Sequence, residues 1–217
     1  MANTRLLHML SQQDLAGIRL PIGEMTKDDV RSYAGRLGLR TAAKPDSQDL
    51  CFVGEGSYRD FIRSRFPAAA RPGPVVTTEG EEVAEHGGIV DFTVGQRRGL
   101  GVAVGEPRYV VEIVADTATI VLGRKRDLLA AGCEVGNVSF VAGEAPADPA
   151  VAVKIRYRAN PVPATLHCKS NGKWAVHFAN PQFAVAPGQS AVFYHGDEVL
   201  GGGTIERAIR AEERRAV

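Results

Sequence analysis

The C-terminal part of the chain constrains its fold most. From about residue 134 onward, six short stretches follow one another: VGNVSFVA, AVAVKIRYRA, ATLHCK, KWAVHFA, SAVFYHG and VLGGGTIERA. Each has strand length, and turn-forming residues separate them. Six such strands in so short a span predict a small closed barrel. Within VAVKIRYRA, Val151, Val153, Ile155 and Tyr157 alternate with Lys154, Arg156 and Arg158. One face of that strand is therefore apolar and the other basic.

Upstream the pattern changes. Residues 1–50 read as helical: in TKDDVRSYAGRLGLR, Thr26 can cap with Asp29 three residues on, and Gly38 can stop the helix. A shorter helix is expected at SYRDFIRSRF, capped by Ser57, before RPGPVV breaks it. From about residue 72 the turn signals TEGEE and EHGG alternate with GIVDFTV, RYVVEIV and ATIVLG, which read as strands. The class is therefore α+β and mostly β: a helical segment over 1–53, a small mixed or β central domain over 54–130, and an antiparallel barrel over 131–217. AIRAEERRAV at the end reads as a charged tail or frayed helix.

Of 217 residues, 44% are hydrophobic and 24% charged, ordinary values for a globular protein. Lys and Arg number 26 against 25 Asp and Glu, so any basic surface has to be local. Cysteines 51, 133 and 168 are widely spaced and odd in number, which fits a reducing, cytoplasmic setting better than a disulfide framework. No apolar run approaches the about 20 residues that span a membrane.

Two stretches stand out chemically. In KPDSQDLCFVGEG, Cys51 follows a polar lead-in that suits a core strand poorly. A thiol becomes a nucleophile only as thiolate, which needs a cation or a helix N-terminus nearby. Lys44, Arg59, Arg63 and the helix after Ser57 favour that, while Asp46 and Asp49 oppose it, and a buried structural cysteine stays open. In DFTVGQRRGLGVAVG the glycines do not make a dinucleotide fingerprint, because a strand follows where a helix is required. The stretch reads as a glycine-rich turn displaying Arg97 and Arg98, whose forks suit phosphate. Histidines 8, 86, 167, 177 and 195 show no metal-ligand spacing, so no metal site is expected.

Four ordered blocks, KPDSQDLCFVGEGSYRDFI, GEEVAEHGGIVDFTVGQRRGLG, KIRYRANPVPATL and FANPQFAVAPGQSAVFYHGDEVLGGGTIE, closely resemble the tRNA-specific 2-thiouridylases. LLHMLSQQDLAGIRLPIGEMTKDDVRSYAGRLGL is similar to the segment that leads to that family's cysteine. The resemblance implies a sulfurtransferase that uses ATP to adenylate the C2 oxygen of the wobble uridine in tRNA. A cysteine persulfide, loaded by a partner sulfur carrier protein, then delivers sulfur. It implies that Cys51 bears the persulfide and forms a transient disulfide with a first cysteine. It also implies that Arg156, Tyr157 and Gln189 contact tRNA. Contact by both Arg156 and Tyr157 would require a twist, bulge or strand end there.

The family's ATP-pyrophosphatase domain, with its SGGxDSS phosphate loop and first cysteine, has no counterpart in this sequence. MANTR stands where the family's tRNA-contacting KDQSY lies. The chain is therefore expected to be a C-terminal portion that binds no cofactor itself, ATP with Mg belonging to the missing domain. The helices of residues 1–50 would then expose faces built to pack against that domain. The alternative is a non-catalytic RNA-binding module in which Cys51 only packs.

Overall fold

The computed structural model describes residues 7–44, 57–102, 105–156, 159–170 and 172–210. Strands β5 (Leu129–Phe140), β6 (Ala150–Lys154), β7 (Val162–Cys168), β8 (Trp174–Phe183), β9 (Ser190–His195) and β10 (Glu198–Ile209) close into a barrel in the order β10-β5-β8-β7-β6-β9. Every pairing around it is antiparallel. The six stretches read from the sequence are these six strands. Alternation fills the interior: Val135, Val153, Val176, Phe178, Phe193 and Ile205 are buried there. Each such side chain contributes about 1.5–3 kcal/mol by leaving water. Phe140 closes on Trp174 edge to face, with ring centroids 5.1 Å apart.

The barrel follows a smaller sheet of β1 (Gly73–Thr77), β2 (Glu82–His86), β3 (Tyr109–Val114) and β4 (Thr119–Gly123), ordered β2-β1-β4-β3. β1 runs parallel to β4, and the other two pairs are antiparallel. Val75, Val110, Ile120 and Leu122 form its core, with Ile89, Phe92 and Leu100 packed against them. GIVDFTV departs from the expected strand. Its Ile89–Asp91 form a 3-10 turn, and β1 takes its hairpin partner from Glu82–His86 instead. The apolar residues of GIVDFTV thus plug the sheet's core rather than extend the sheet.

Residues 7–44 are less helical than the sequence suggests. They hold α1 (Gln12–Gly17) and α2 (Lys27–Arg36), joined by turns at Leu20–Gly23 and Ile22–Met25. Pro21 and the glycines 17 and 23 interrupt what would otherwise be one helical stretch. Where the caps are strong the expectation holds. Thr26 accepts from the Asp29 amide, Asp29 returns to the Thr26 backbone, and Gly38 takes φ +67° after the last turn. α3 (Tyr58–Arg65) starts at Ser57, which accepts from the Asp60 amide at 3.1 Å.

None of these three helices buries a residue, and Leu20, Ile22, Tyr33, Leu37 and Leu39 are exposed. The segment touches the barrel through Gln12 and His8. The Gln12 amide donates to the Val141 carbonyl at 3.0 Å, and the buried His8 ring lies on Gly202. A β-carbon at Gly202 would stand 2.4 Å from that ring, so the GGG of β10 makes room for it.

Candidate functional site

Three cysteines could carry sulfur chemistry, and the structure separates two of them. Cys133 sits in the barrel core with no exposed surface, and burial pushes its thiol up to about 12. A thiol so placed forms no useful thiolate. Cys168, at the end of β7, is exposed and lies within 3.7 Å of the Lys169 carbonyl oxygen. Cys51 falls within residues 45–56, outside the described residues.

Arg156 and Gln189 arrive at one end of the barrel. β6 pairs with β9 so that Lys154 lies opposite Val192. Arg156 follows the end of β6 by two residues, and Gln189 immediately precedes β9 at the same end of the barrel. The strand stops at Lys154, Ile155 is still buried, and Arg156 sits exposed at a bend. Release from the ladder at this point is the strand end that contact by neighbouring residues requires. Tyr157 lies outside the described residues. Gln189 is held by its backbone, its carbonyl accepting from the Ile205 amide at 2.8 Å.

Gln189 opens onto a cleft of about 660 Å³ between the barrel and the smaller sheet, lined also by Phe92, Glu112, Arg207 and Arg210. Arg210 spans the two parts by donating to the Val111 carbonyl at 3.3 Å. Arg207 is fixed by Glu134 on β5, donating to it at 2.8 Å, while Lys169 donates to the same carboxylate oxygen. These hydrogen bonds, Arg207 first, hold the Glu134 carboxyl down at about 2. Arg207 and Arg210 give no signal in the sequence beyond a charged end to the last strand. The role of Arg207 depends on barrel closure, which brings β5 beside β10, and that of Arg210 on the approach of β3 to the end of β10.

The glycine-rich turn is a turn, as expected. Gly95, Gly99, Gly101 and Gly105 all take positive φ, and Arg97 and Arg98 are exposed. It starts between the two sheets: Gly95 donates to the Val110 carbonyl of β3 at 2.8 Å, and its α-carbon faces the Ala184 side chain at the end of β8. Asp91, just before it, binds Arg63 at 2.7 Å and Arg59 at 3.3 Å, tying α3 to the turn. His86 is used structurally, its Nε2 donating to the Ala118 carbonyl and its Nδ1 accepting from the Gly88 amide. His167 and His177 meet edge to face at 5.2 Å, and among the described residues no cluster of metal-ligating side chains occurs. No helix among them is long and apolar enough to cross a membrane.

A closed barrel beside a small mixed sheet, with exposed arginines on the glycine-rich turn and after β6, defines a two-module β protein. Three family models match it in succession. They are a tRNA methyl transferase HUP domain over residues 3–55, a tRNA methyl transferase PRC-barrel domain over 59–124, and an aminomethyltransferase β-barrel domain over 130–205. A tRNA-specific 2-thiouridylase MnmA of Roseiflexus sp. is 46% identical over 205 residues, covering 93% of this chain and 54% of the relative. Those of Chloroflexus aurantiacus and Moorella thermoacetica are 44% and 42% identical, each with 56% of its length covered. Over 93% of its length the chain is a partial sequence similar to the tRNA-specific 2-thiouridylases, and it spans about half the length of the relatives it matches.

Proposed function

We propose that this chain is the sulfur-transfer and tRNA-holding portion of a 2-thiouridylase acting on the wobble uridine of tRNA. The observation that carries the reading is the ordered match, over 93% of the chain, to relatives named tRNA-specific 2-thiouridylase. The placing of Arg156 just after β6 and of Gln189 just before β9, its antiparallel partner strand, at one end of the barrel supports it. In this reading residues 1–53 belong with an ATP-pyrophosphatase domain, 54–130 form the central tRNA-binding domain, and 131–217 the barrel.

Cys51 is the residue assigned to sulfur. Its thiolate attacks the terminal sulfur of a carrier persulfide, forming Cys51–S–S⁻ and releasing the carrier thiol. The terminal sulfur then attacks C2 of an adenylated uridine and AMP leaves with its oxygen. A second cysteine thiolate next attacks the Cys51 sulfur, the S–S bond breaks, and 2-thiouridine is released as a disulfide forms. ATP supplies the leaving group. The SGGxDSS loop that would hold it does not occur among these 217 residues, and adenylation is assigned to another domain.

The role of this chain's own residues is to hold the RNA. Exposed arginines neutralise phosphates, and an amide of the kind Gln189 carries at the cleft pairs with the edge of an unpaired base. Single-stranded loop nucleotides, splayed from the stack, suit such a surface better than a duplex groove does. The test is binding of an anticodon stem-loop RNA to the wild type, Arg156→Glu and Gln189→Ala. The wild type binds in a salt-sensitive way, Arg156→Glu weakens binding about tenfold or more, and Gln189→Ala weakens it less. Equal affinity in all three proteins defeats the assignment.

A further inference from the structure

Consecutive arginines on the glycine-rich turn go to different pockets. Arg97 lines one of about 420 Å³, with Arg108 as its second arginine. Arg98 lines another of about 660 Å³, with Arg59 and Arg63 of α3. Gly99, Leu100 and Gly101 line both, so the turn is the wall between them. The balance of charge is similar on the two sides. Arg97 and Arg108 face Glu106 in the first, and Arg59, Arg63 and Arg98 face Glu85 and Asp91 in the second. Each lining carries one cation in excess.

Arg108 shows what the smaller pocket lacks. Its side chain is 13% exposed, its Nη2 pairs with Glu106 at 2.8 Å, and its Nη1 approaches Glu79 only to 3.9 Å. Its Nε and Nη1 are buried without a hydrogen-bond acceptor. Buried donors without acceptors are costly, most of all on a charged group. An anion entering beside Arg97 meets a guanidinium whose bonding is incomplete. In the larger pocket Asp91 holds Arg59 and Arg63 one helical turn apart, one carboxylate shared between two forks. Arg98 is exposed beside the same pocket, and its side chain keeps no carboxylate of its own within ion-pair reach among the described residues.

We propose that the two pockets take neighbouring phosphate groups of a single RNA strand laid across the turn. Arg97 and Arg108 hold one phosphate, and Arg98 with Arg59 and Arg63 holds the other. Guanidinium forks match phosphate oxygens in pairs, and two anion sites separated by one short wall fit anions joined by a backbone better than a single free anion. The proposal rests on the tRNA reading and extends it to three arginines, Arg59, Arg63 and Arg108, at the central sheet.

The test is a salt titration of anticodon stem-loop binding by the full chain, with inorganic phosphate as competitor. Arg59→Gln, Arg98→Gln and Arg108→Lys are compared with the double variants Arg59→Gln/Arg98→Gln and Arg97→Gln/Arg98→Gln. Arg59 is 61% exposed, so its replacement leaves folding intact. Arg59→Gln is expected to weaken RNA binding about tenfold and to lower the slope of log affinity against log salt by about 0.7, one phosphate contact. The pair within one pocket loses no more slope than either single variant, whereas the pair across the wall loses about twice as much. Arg108→Lys keeps the charge but loses the fork, so it weakens binding with little change in slope. Inorganic phosphate competes only weakly.

Wild-type affinity and slope in the Arg59 and Arg108 variants, with Arg156→Glu still impaired, overturns the pockets and leaves the tRNA reading standing. Strong competition by inorganic phosphate overturns the two-phosphate geometry. Failure of the wild type to bind RNA overturns both.

Discussion

Replacing Glu134 by Gln tests whether charge on β5 locks the barrel seam. Glu134 is buried on β5 and accepts from Arg207 on β10 and from Lys169 beyond β7. Its carboxyl titrates at about 2 in the fold, against 4.5 for the ordinary group. At about 1.4 kcal/mol per tenfold, that difference corresponds to about 3 kcal/mol. Lys169 and Arg207 keep 40% and 50% of their side chains exposed, so solvent screening reduces the expected loss in Glu134→Gln to about 1–2 kcal/mol. The folded carboxyl is the stronger acid, so its contribution is complete above pH 4.5. It declines as pH falls toward 2 and is absent below that. Urea unfolding of both proteins between pH 7 and pH 2.5 reads it, with Trp174 fluorescence as the signal, since Trp174 lies on the barrel. The gap between the proteins should narrow steadily below pH 4.5. A gap that stays constant, or that is absent at pH 7, refutes the reasoning.

Phe178→Ala empties a fully buried position between barrel strands and should cost about 3–5 kcal/mol in the same unfolding experiment. Gly202→Ala drives a β-carbon to 2.4 Å from the His8 ring and 2.5 Å from the Ala191 carbonyl. Limited proteolysis should then cut between residues 7 and 44 faster than in the wild type, and an unchanged cleavage rate contradicts the docking. Cys168 should react with iodoacetamide in the native protein at pH 8, whereas Cys133, buried with its thiol at about 12, should react only in urea. Peptide mapping of native protein alkylated at Cys133 would contradict its place in the core.

Features set by near neighbours were legible in the sequence. Thr26 with Asp29 three residues on, and Ser57 at the start of the next helix, were read as caps, and both caps form. The alternation of Val151, Val153 and Ile155 with Lys154 and Arg156 survives as inward and outward faces because its period is that of a strand. Long-range pairing was not legible. The sequence does not announce that β1 lies parallel to β4, and GIVDFTV looks like a strand although its apolar residues serve as a plug. Arg97, Arg98, Arg156 and Gln189 were legible as candidates from their turn, their strand or the family blocks. Arg108 and Arg207 were not, because each acquires meaning from carboxylates or cavities that only the folded chain puts beside it.

The central claim, that Cys51 carries sulfur, is tested most directly by mass spectrometry. Wild type and Cys51→Ser are incubated with a persulfide-loaded carrier protein and digested without reductant. The account predicts one added sulfur atom on the Cys51 peptide of the wild type and none on the corresponding peptide of the variant, with Cys133 unlabelled in both. Equal sulfur uptake by the two proteins, or uptake confined to Cys168, would contradict it.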